Sequence, residues 1–249
     1  MIVDVSCFAG HWPSRDLKGE LTSVRDLLGG YGVDRLLVSP LDAAWARNPH
    51  LANDPVYRAV EPFEDVWPVP VLDPTVATWR AELERAAEHP DVRLVKLLPA
   101  YSPYGLPEAD DLLSAASNAG LAAICQMRLE DRRRQHPLAQ VPDVPVADVV
   151  AAAERHPGLG IIVGGARFPE ARALRDRLLG KPNLYVETSH MDGLDAIRVL
   201  VDEGLAKKLL FGSHAPFFIP HAALARVVTD IDDDVAAAIL GENALRLLS

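Results

Sequence analysis

The chain has 249 residues, a formal charge of −10 and 49% apolar residues, enough for one large domain with a sizeable core. The acidic balance repels phosphate backbones and anionic membrane surfaces, so nucleic acid is set aside as a partner, and no apolar run approaches the roughly 20 residues that span a bilayer. The start, Met1-Ile2-Val3-Asp4, runs into a strand-like segment without a signal peptide's basic start. The two cysteines, Cys7 and Cys125, both fall in apolar segments, which excludes a disulfide framework and fits a reducing cytoplasm.

In chain order, apolar β-prone runs occur at residues 2–6, 35–39, 66–72, 92–98, 121–127, 160–164, 183–188 and 208–212. They read as near-continuous apolar segments rather than clean alternations, the pattern of parallel strands covered on both faces. Between them lie helical patterns at 21–31, 76–89, 107–118, 146–156, 169–179 and 192–203. The last of these has Asp192 as candidate N-cap and an apolar stripe of Leu194, Ile197 and Val201. Pro220 suits the opening of a further helix, and Asp232-Asp233-Asp234 places negative charge at the start of the last one. Two stretches, 42–57 and 130–145, read as irregular. Eight strand–helix alternations in one compositional regime predict a single α/β domain over 1–249, a (β/α)8 TIM barrel, with a doubly wound open sheet as the alternative.

A barrel carries its chemistry at the C-terminal ends of its strands. There the sequence offers Asp4, Ser6 and Phe8, then His11 and Trp12 just beyond; Lys96 in "VRLVKLL"; Gln126 and Arg128 in "ICQMR"; Glu187 and His190 in "LYVETSH"; and His214 in "LLFGSHAPFF". A lysine inside an apolar run is costly to bury unpaired, so Lys96 is either a snorkelling or salt-bridged side chain, with Glu187 or Asp4 as neutralising partners, or an anion holder or a lysine of lowered pKa. Arg128 suits a bidentate clamp on a carboxylate, or pairs with Asp131 or Glu130. His214 is read as a general base, with a structural role in closing the barrel seam as its alternative. His89 and His156 stand at predicted helix ends. No zinc-type spacing, P-loop or dinucleotide fingerprint is present; the glycines of "GLGIIVGG" lack the turn-to-helix order.

Four stretches together, "MIVDVSCFAGHWP", "VRLVKLLPAYSPYG", "GIIVGGARF" and "LLFGSHAPFF…ILGENALRLL", resemble the amidohydrolase-related family of metal-dependent hydrolase barrels over nearly the whole chain. The resemblance implies the barrel fold and, in most members, a metal held by an Asp-x-His-x-His pattern on the first strand, histidines on the fifth and sixth, and an aspartate on the eighth. Here Ser6 and Phe8, Gln126, Gly164 or Gly165, and His214 stand at those positions. The family's usual ligand set is therefore absent, and a relocated site built from His214, His190 and Glu187 is the minority expectation. Relatives that hydrolyse pyrone dicarboxylates without a metal suggest a metal-independent hydrolase acting on a small anionic substrate. In that reading His214 is the base, Glu187 or Asp4 orients it, Lys96 and Arg128 hold the anion, and Gln126, Ser6, His11, Trp12 and His190 line the substrate. Decarboxylase or hydratase chemistry on the same groups, and a barrel that has lost catalysis and only binds, are the alternatives. A closed, polar pocket at the strand tips favours the enzyme, while a pocket filled by Trp12, Phe8 or Phe217 favours the binding protein. A homodimer is expected by analogy with relatives.

Overall fold

The computed structural model describes residues 1–193 and 195–249; Leu194 of the expected apolar stripe lies outside the described residues. Eight parallel strands form in chain order: β1 (Val3–Ala9), β2 (Arg35–Pro40), β3 (Val66–Pro68), β4 (Leu94–Leu97), β5 (Ala122–Gln126), β6 (Ile161–Gly164), β7 (Leu184–Glu187) and β8 (Leu209–Leu210). Ladders join β1-β2-β3 and β4-β5-β6-β7-β8. Backbone hydrogen bonds close both seams. Lys96 N–H donates to the Pro70 carbonyl and Leu72 N–H to the Lys96 carbonyl, each at 2.9 Å. On the other side Val5 N–H reaches the Phe211 carbonyl at 3.0 Å, while His214 N–H and Phe8 N–H reach the Ser6 and Ala215 carbonyls at 2.8 Å. The result is a closed (β/α)8 barrel rather than an open sheet.

The helices are α1 (Leu21–Gly29), α2 (Asn53–Val60), α3 (Trp79–Glu88), α4 (Asp110–Asn118), α5 (Val146–Arg155), α6 (Phe168–Ala173), α7 (Arg175–Gly180), α8 (Ala196–Asp202), α9 (Pro220–Val228), α10 (Asp233–Ala237) and α11 (Asn243–Leu247). Three differ from the sequence expectation. The stretch 42–57 is not irregular: it holds two 3-10 turns and most of α2, because Pro55 falls in a first turn, where its missing N–H has no intrahelical partner to lose. The pattern 169–179 is two short helices, broken at Leu174. Asp192 is not an N-cap; Gly193, at φ +115°, turns the chain and α8 begins after Asp195. Among the described residues, no helix is long and apolar enough to cross a membrane.

The third strand is the shortest part of the β1–β3 ladder, and α2 braces its extension. The Asn53 amide donates to the Val71 carbonyl at 3.1 Å and accepts the Val71 N–H at 2.8 Å. His50 adds a second brace, its Nε2 accepting the Asp73 N–H at 3.0 Å. Asn53→Ala orphans a buried N–H and a buried carbonyl together, so it is expected to cost about 2–4 kcal/mol in urea unfolding; a loss within error of zero would mean that the seam does not depend on this clamp.

Strand alternation builds the interior in layers. Val3, Val5, Leu37, Val69, Leu94, Ile124, Ile162 and Leu210 form an apolar floor, closed below by Ala244 and Leu248 from the C-terminal end of the chain. Two residues further along the same strand faces come Lys96, Gln126, Gly164 and Gly212. Above that polar layer lies a second apolar cluster containing Phe8, Trp12, Leu41, Val71, Leu98, Leu129 and Phe217.

Candidate active site

The polar layer between these two apolar layers is the candidate site. Asp4, Ser6, Lys96, Glu187 and His214 are fully buried, and Gln126, Arg128 and His190 nearly so. Asp4 ties β1 to the end of β8: its Oδ1 accepts the N–H groups of Ser6 and Ser213, each at 3.0 Å, leaving Oδ2 without a partner among the described residues. Burial raises its pKa, opposed by the bonds from Ser213 and Ser6 and by Lys96.

Lys96 makes no ion pair with Glu187 or Asp4. Its Nζ has no hydrogen-bond partner among the described residues and sits 3.9 Å from the centre of the Phe8 ring. Burial lowers its pKa to about 8, with Glu187, Cys7 and Asp4 opposing the shift.

Glu187 is turned instead onto the backbone. Its Oε1 accepts Gly165 N–H at 2.5 Å and Ser189 Oγ–H at 2.9 Å, and its Oε2 accepts Ser189 N–H at 2.6 Å. Burial raises its pKa, and these bonds together with Lys96 hold it back. The pose needs Gly212, where a Cβ would lie 2.5 Å from Glu187 Oε2. The glycines of "GLGIIVGG" belong here too: Gly165, at φ +79°, presents its N–H to Glu187, and Gly164 makes room for the Gln126 amide.

The two histidines face each other, ring centroids 4.5 Å apart and planes 80° apart. His214 stands at φ +56°, and its Nε2 lies 2.7 Å from the Leu129 carbonyl. A carbonyl only accepts, so Nε2 carries the hydrogen and Nδ1 keeps a free lone pair. Burial lowers this ring's pKa to about 3, Lys96 adding to the effect and the Leu129 bond opposing it. For His190 the tautomer is reversed. Ser189 Oγ spends its hydrogen on Glu187, so it accepts from His190 Nδ1 at 2.9 Å, and Nε2 is the free atom. Burial, then His214, place its pKa well below the usual value. Ser189, which joins Glu187 to His190, is the residue of this layer that sequence reasoning missed; its only signal was its place between them.

Three expected site residues lie elsewhere or are occupied. Arg128 pairs with neither Asp131 nor Glu130. It forks onto Glu170 with two bonds of 2.7 Å and meets Asp143 at 2.9 Å and the Gly165 carbonyl at 2.5 Å, so no donor pair remains for a substrate carboxylate. His11 is exposed; it lines a separate cavity of about 360 Å³ between the β1 loop, α1 and α2. Trp12 is buried, 4.8 Å from Phe217 and 5.1 Å from Trp45, and with Phe8 and Phe217 it fills the mouth. Arg15 latches this seal, pairing with Glu130 at 2.7 Å and lying 5.6 Å over the Phe217 ring. Gln126 is half engaged: its Nε2 donates to the Arg128 carbonyl at 2.8 Å while Oε1 has no partner.

A divalent ion needs three or four converging donors. Among the described residues no group of three His, Cys, Asp or Glu side chains converges. Glu187 already accepts three hydrogen bonds, so the relocated site from His214, His190 and Glu187 does not assemble, and Lys96 acts electrostatically on the Glu187 and Asp4 carboxylates that a cation would need. Among the described residues, the side chains do not converge as a resident divalent metal needs.

The sequence matches the family model described as amidohydrolase over residues 42–249. No curated protein matches it. Among solved structures it is similar to 5-carboxyvanillate decarboxylase from Sphingomonas paucimobilis, with 17% identity, a TM-score of 0.72, and 99% of this chain and 98% of that one covered. A 5-carboxyvanillate decarboxylase from Novosphingobium aromaticivorans, solved with bound manganese, gives 12% identity and a TM-score of 0.73 over 100% and 97% of the two chains. A probable 2-pyrone-4,6-dicarboxylic acid hydrolase from Acinetobacter baumannii, solved with citric acid, gives 12% and 0.66 over 99% and 98%. At these identities the likeness carries the barrel and nothing finer.

Proposed function

Because this chain belongs to the amidohydrolase family, we propose that it is a metal-independent enzyme of that family, hydrolysing an ester-, lactone- or amide-like bond in a small anionic substrate. The observation that carries this reading is the tautomer of His214. With Nε2–H fixed on the Leu129 carbonyl, the Nδ1 lone pair is held inside the barrel in the neutral form that a general base requires. The Nδ1 atom takes a proton from water as the water attacks the substrate carbonyl. Protonated Lys96 balances the charge that develops on the carbonyl oxygen. Asp4 Oδ2 and Gln126 Oε1 are unused polar atoms in the same layer, available for orientation. Entry of an anion and water through the mouth relieves the desolvation that depresses His214, moving its pKa up toward the range in which a base is effective at neutral pH.

The aromatic seal favours a second reading, a barrel that binds without turnover, since Phe8, Trp12 and Phe217 occupy the mouth. Lys96, Gln126, His190 and His214 each hold a buried atom without a partner among the described residues, an arrangement costing roughly 1–3 kcal/mol per group that a polar ligand would offset in either reading, so turnover decides between them. The two readings separate in a turnover screen of carboxylated lactones, aryl esters and carboxylated phenols, run with metal-free protein and with added manganese. Hydrolysis by the metal-free enzyme, lost by at least about 10²-fold in His214→Asn with circular dichroism unchanged, supports the proposal. Full activity of His214→Asn removes His214 from the mechanism. Turnover only with manganese overturns the metal-independent reading. Carbon dioxide release from the phenols transfers the same groups to decarboxylation.

A further inference from the structure

Beyond hydrolysis, Lys96 raises a question of its own. A lysine at the centre of a barrel is ordinarily held by a carboxylate. Here the obvious partner is already taken: Glu187 receives Gly165 N–H, Ser189 N–H and Ser189 O–H, and Asp4 spends Oδ1 on two backbone N–H groups. The Lys96 Nζ is left facing the Phe8 ring with no hydrogen-bond acceptor among the described residues, while Asp4 Oδ2 is also unpartnered. His190 Nε2 and His214 Nδ1 likewise hold lone pairs without a partner among the described residues. A buried amine without a fixed counter-ion gives up its proton readily, and the free amine is a nucleophile.

We infer that Lys96 is an imine-forming residue, whose amine condenses with the carbonyl of a small oxo acid. The amine lone pair forms a C–N bond to the carbonyl carbon, and the carbonyl π pair moves to oxygen, which takes up the nitrogen's proton. The resulting carbinolamine loses its hydroxyl as water, with one proton supplied by a site acid for which Asp4 Oδ2 is placed, and the nitrogen lone pair closes the C=N bond. One amine, one carbonyl and one proton thus give one iminium and one water, without any change of oxidation state. The iminium is an electron-withdrawing group covalently held in the site, a capacity that hydrolysis by His214 does not require.

Glyoxylate with cyanoborohydride tests this, because reduction leaves a stable carboxymethyl group on the amine that condensed. The chain has four other lysines, of which exposed Lys18 and Lys207 serve as the reactivity control. Wild type and Trp12→Ala, which opens the mouth, are labelled between about pH 7 and 10 and mapped by peptide mass. The expected result is a carboxymethyl group on the Lys96 peptide in both, more in Trp12→Ala, and half-maximal near pH 8 in the wild type, where this amine loses its proton. Lys96→Arg loses that adduct and keeps the others. Lys96 unlabelled in a natively folded Trp12→Ala, or in Phe217→Ala where the first does not fold, while Lys18 and Lys207 react, overturns the inference. His214→Asn keeps the adduct, so failure of hydrolysis and failure of imine formation are read separately.

Discussion

Lys96→Met is expected to lose a pH-dependent share of stability that the wild type gains between about pH 8 and 10.5, worth on the order of 3 kcal/mol across that window. The folded protein holds the Lys96 proton more weakly than the unfolded chain does, its pKa being about 8 against an ordinary 10.5. A group depressed in this way contributes its full stability above the unfolded value and loses it as the pH falls through the folded one. The wild type therefore gains relative to the methionine variant by about 1.4 kcal/mol per pH unit between those limits. Other groups titrate in the same range with the opposite sign. Burial raises Cys7, Cys125, Tyr57, Tyr101 and Tyr104, so each withdraws stability as the pH climbs. Cys125 and the tyrosines are common to both proteins and cancel in the difference between the two urea-derived stabilities, which leaves the lysine and the groups it acts on, Cys7, Asp4 and Glu187. Asp4 and Glu187 carry the opposite sign to Lys96, each withdrawing stability as the pH rises through its raised folded value. Both are raised, both are held down in part by the ammonium, and its removal lets them rise further, so the variant itself weakens with increasing pH. A difference that stays flat from pH 8 to 10.5 would show that the amine keeps an ordinary pKa, and would remove the physical basis for its nucleophilicity.

Much of this barrel was legible because parallel strands write themselves as apolar runs, and a polar residue inside such a run stands out. Lys96, Gln126, Glu187 and His214 were visible for that reason, and the period of two then placed them near one level of the interior. What was not legible depends on partners distant in sequence. The Arg128 clamp is made by Asp143 and Glu170, 15 and 42 residues on, while the local acids Glu130 and Asp131 bind Arg15 and Arg133. The seal joins Trp12 to Phe217 across almost the whole chain. Ser189 acquires its role only once Glu187 is seen to take the hydroxyl hydrogen, because that choice sets the His190 tautomer. The helix α2 was hidden by Asn53-Asp54-Pro55, which reads locally as a turn and becomes a first helical turn only when Asn53 has the β3 extension to grip.

Gly212→Ala is expected to destabilise the barrel by about 2–3 kcal/mol, the cost of overpacking a site whose neighbours cannot retreat. The added Cβ meets Glu187 Oε2 at 2.5 Å and the Ser6 Cβ at 3.0 Å. Glu187 cannot yield cheaply, because Oε2 holds the Ser189 N–H and Oε1 the Gly165 N–H, and moving the carboxylate orphans buried donors. Gly164→Ala supplies the contrast. Its Cβ would lie 2.7 Å from Gln126 Oε1 and 3.0 Å from Ile124 Cγ1; the amide oxygen has no partner among the described residues and can turn aside for the loss of one bond to the Arg128 carbonyl, while Ile124 must shift slightly. The cost there is expected near 1 kcal/mol. Urea unfolding of the two variants beside the wild type ranks them directly. Equal costs, or a larger one at Gly164, would mean that Glu187 is free to move. In that case its hydrogen bonds do not fix the carboxylate away from Lys96, and the lysine would have a counter-ion after all.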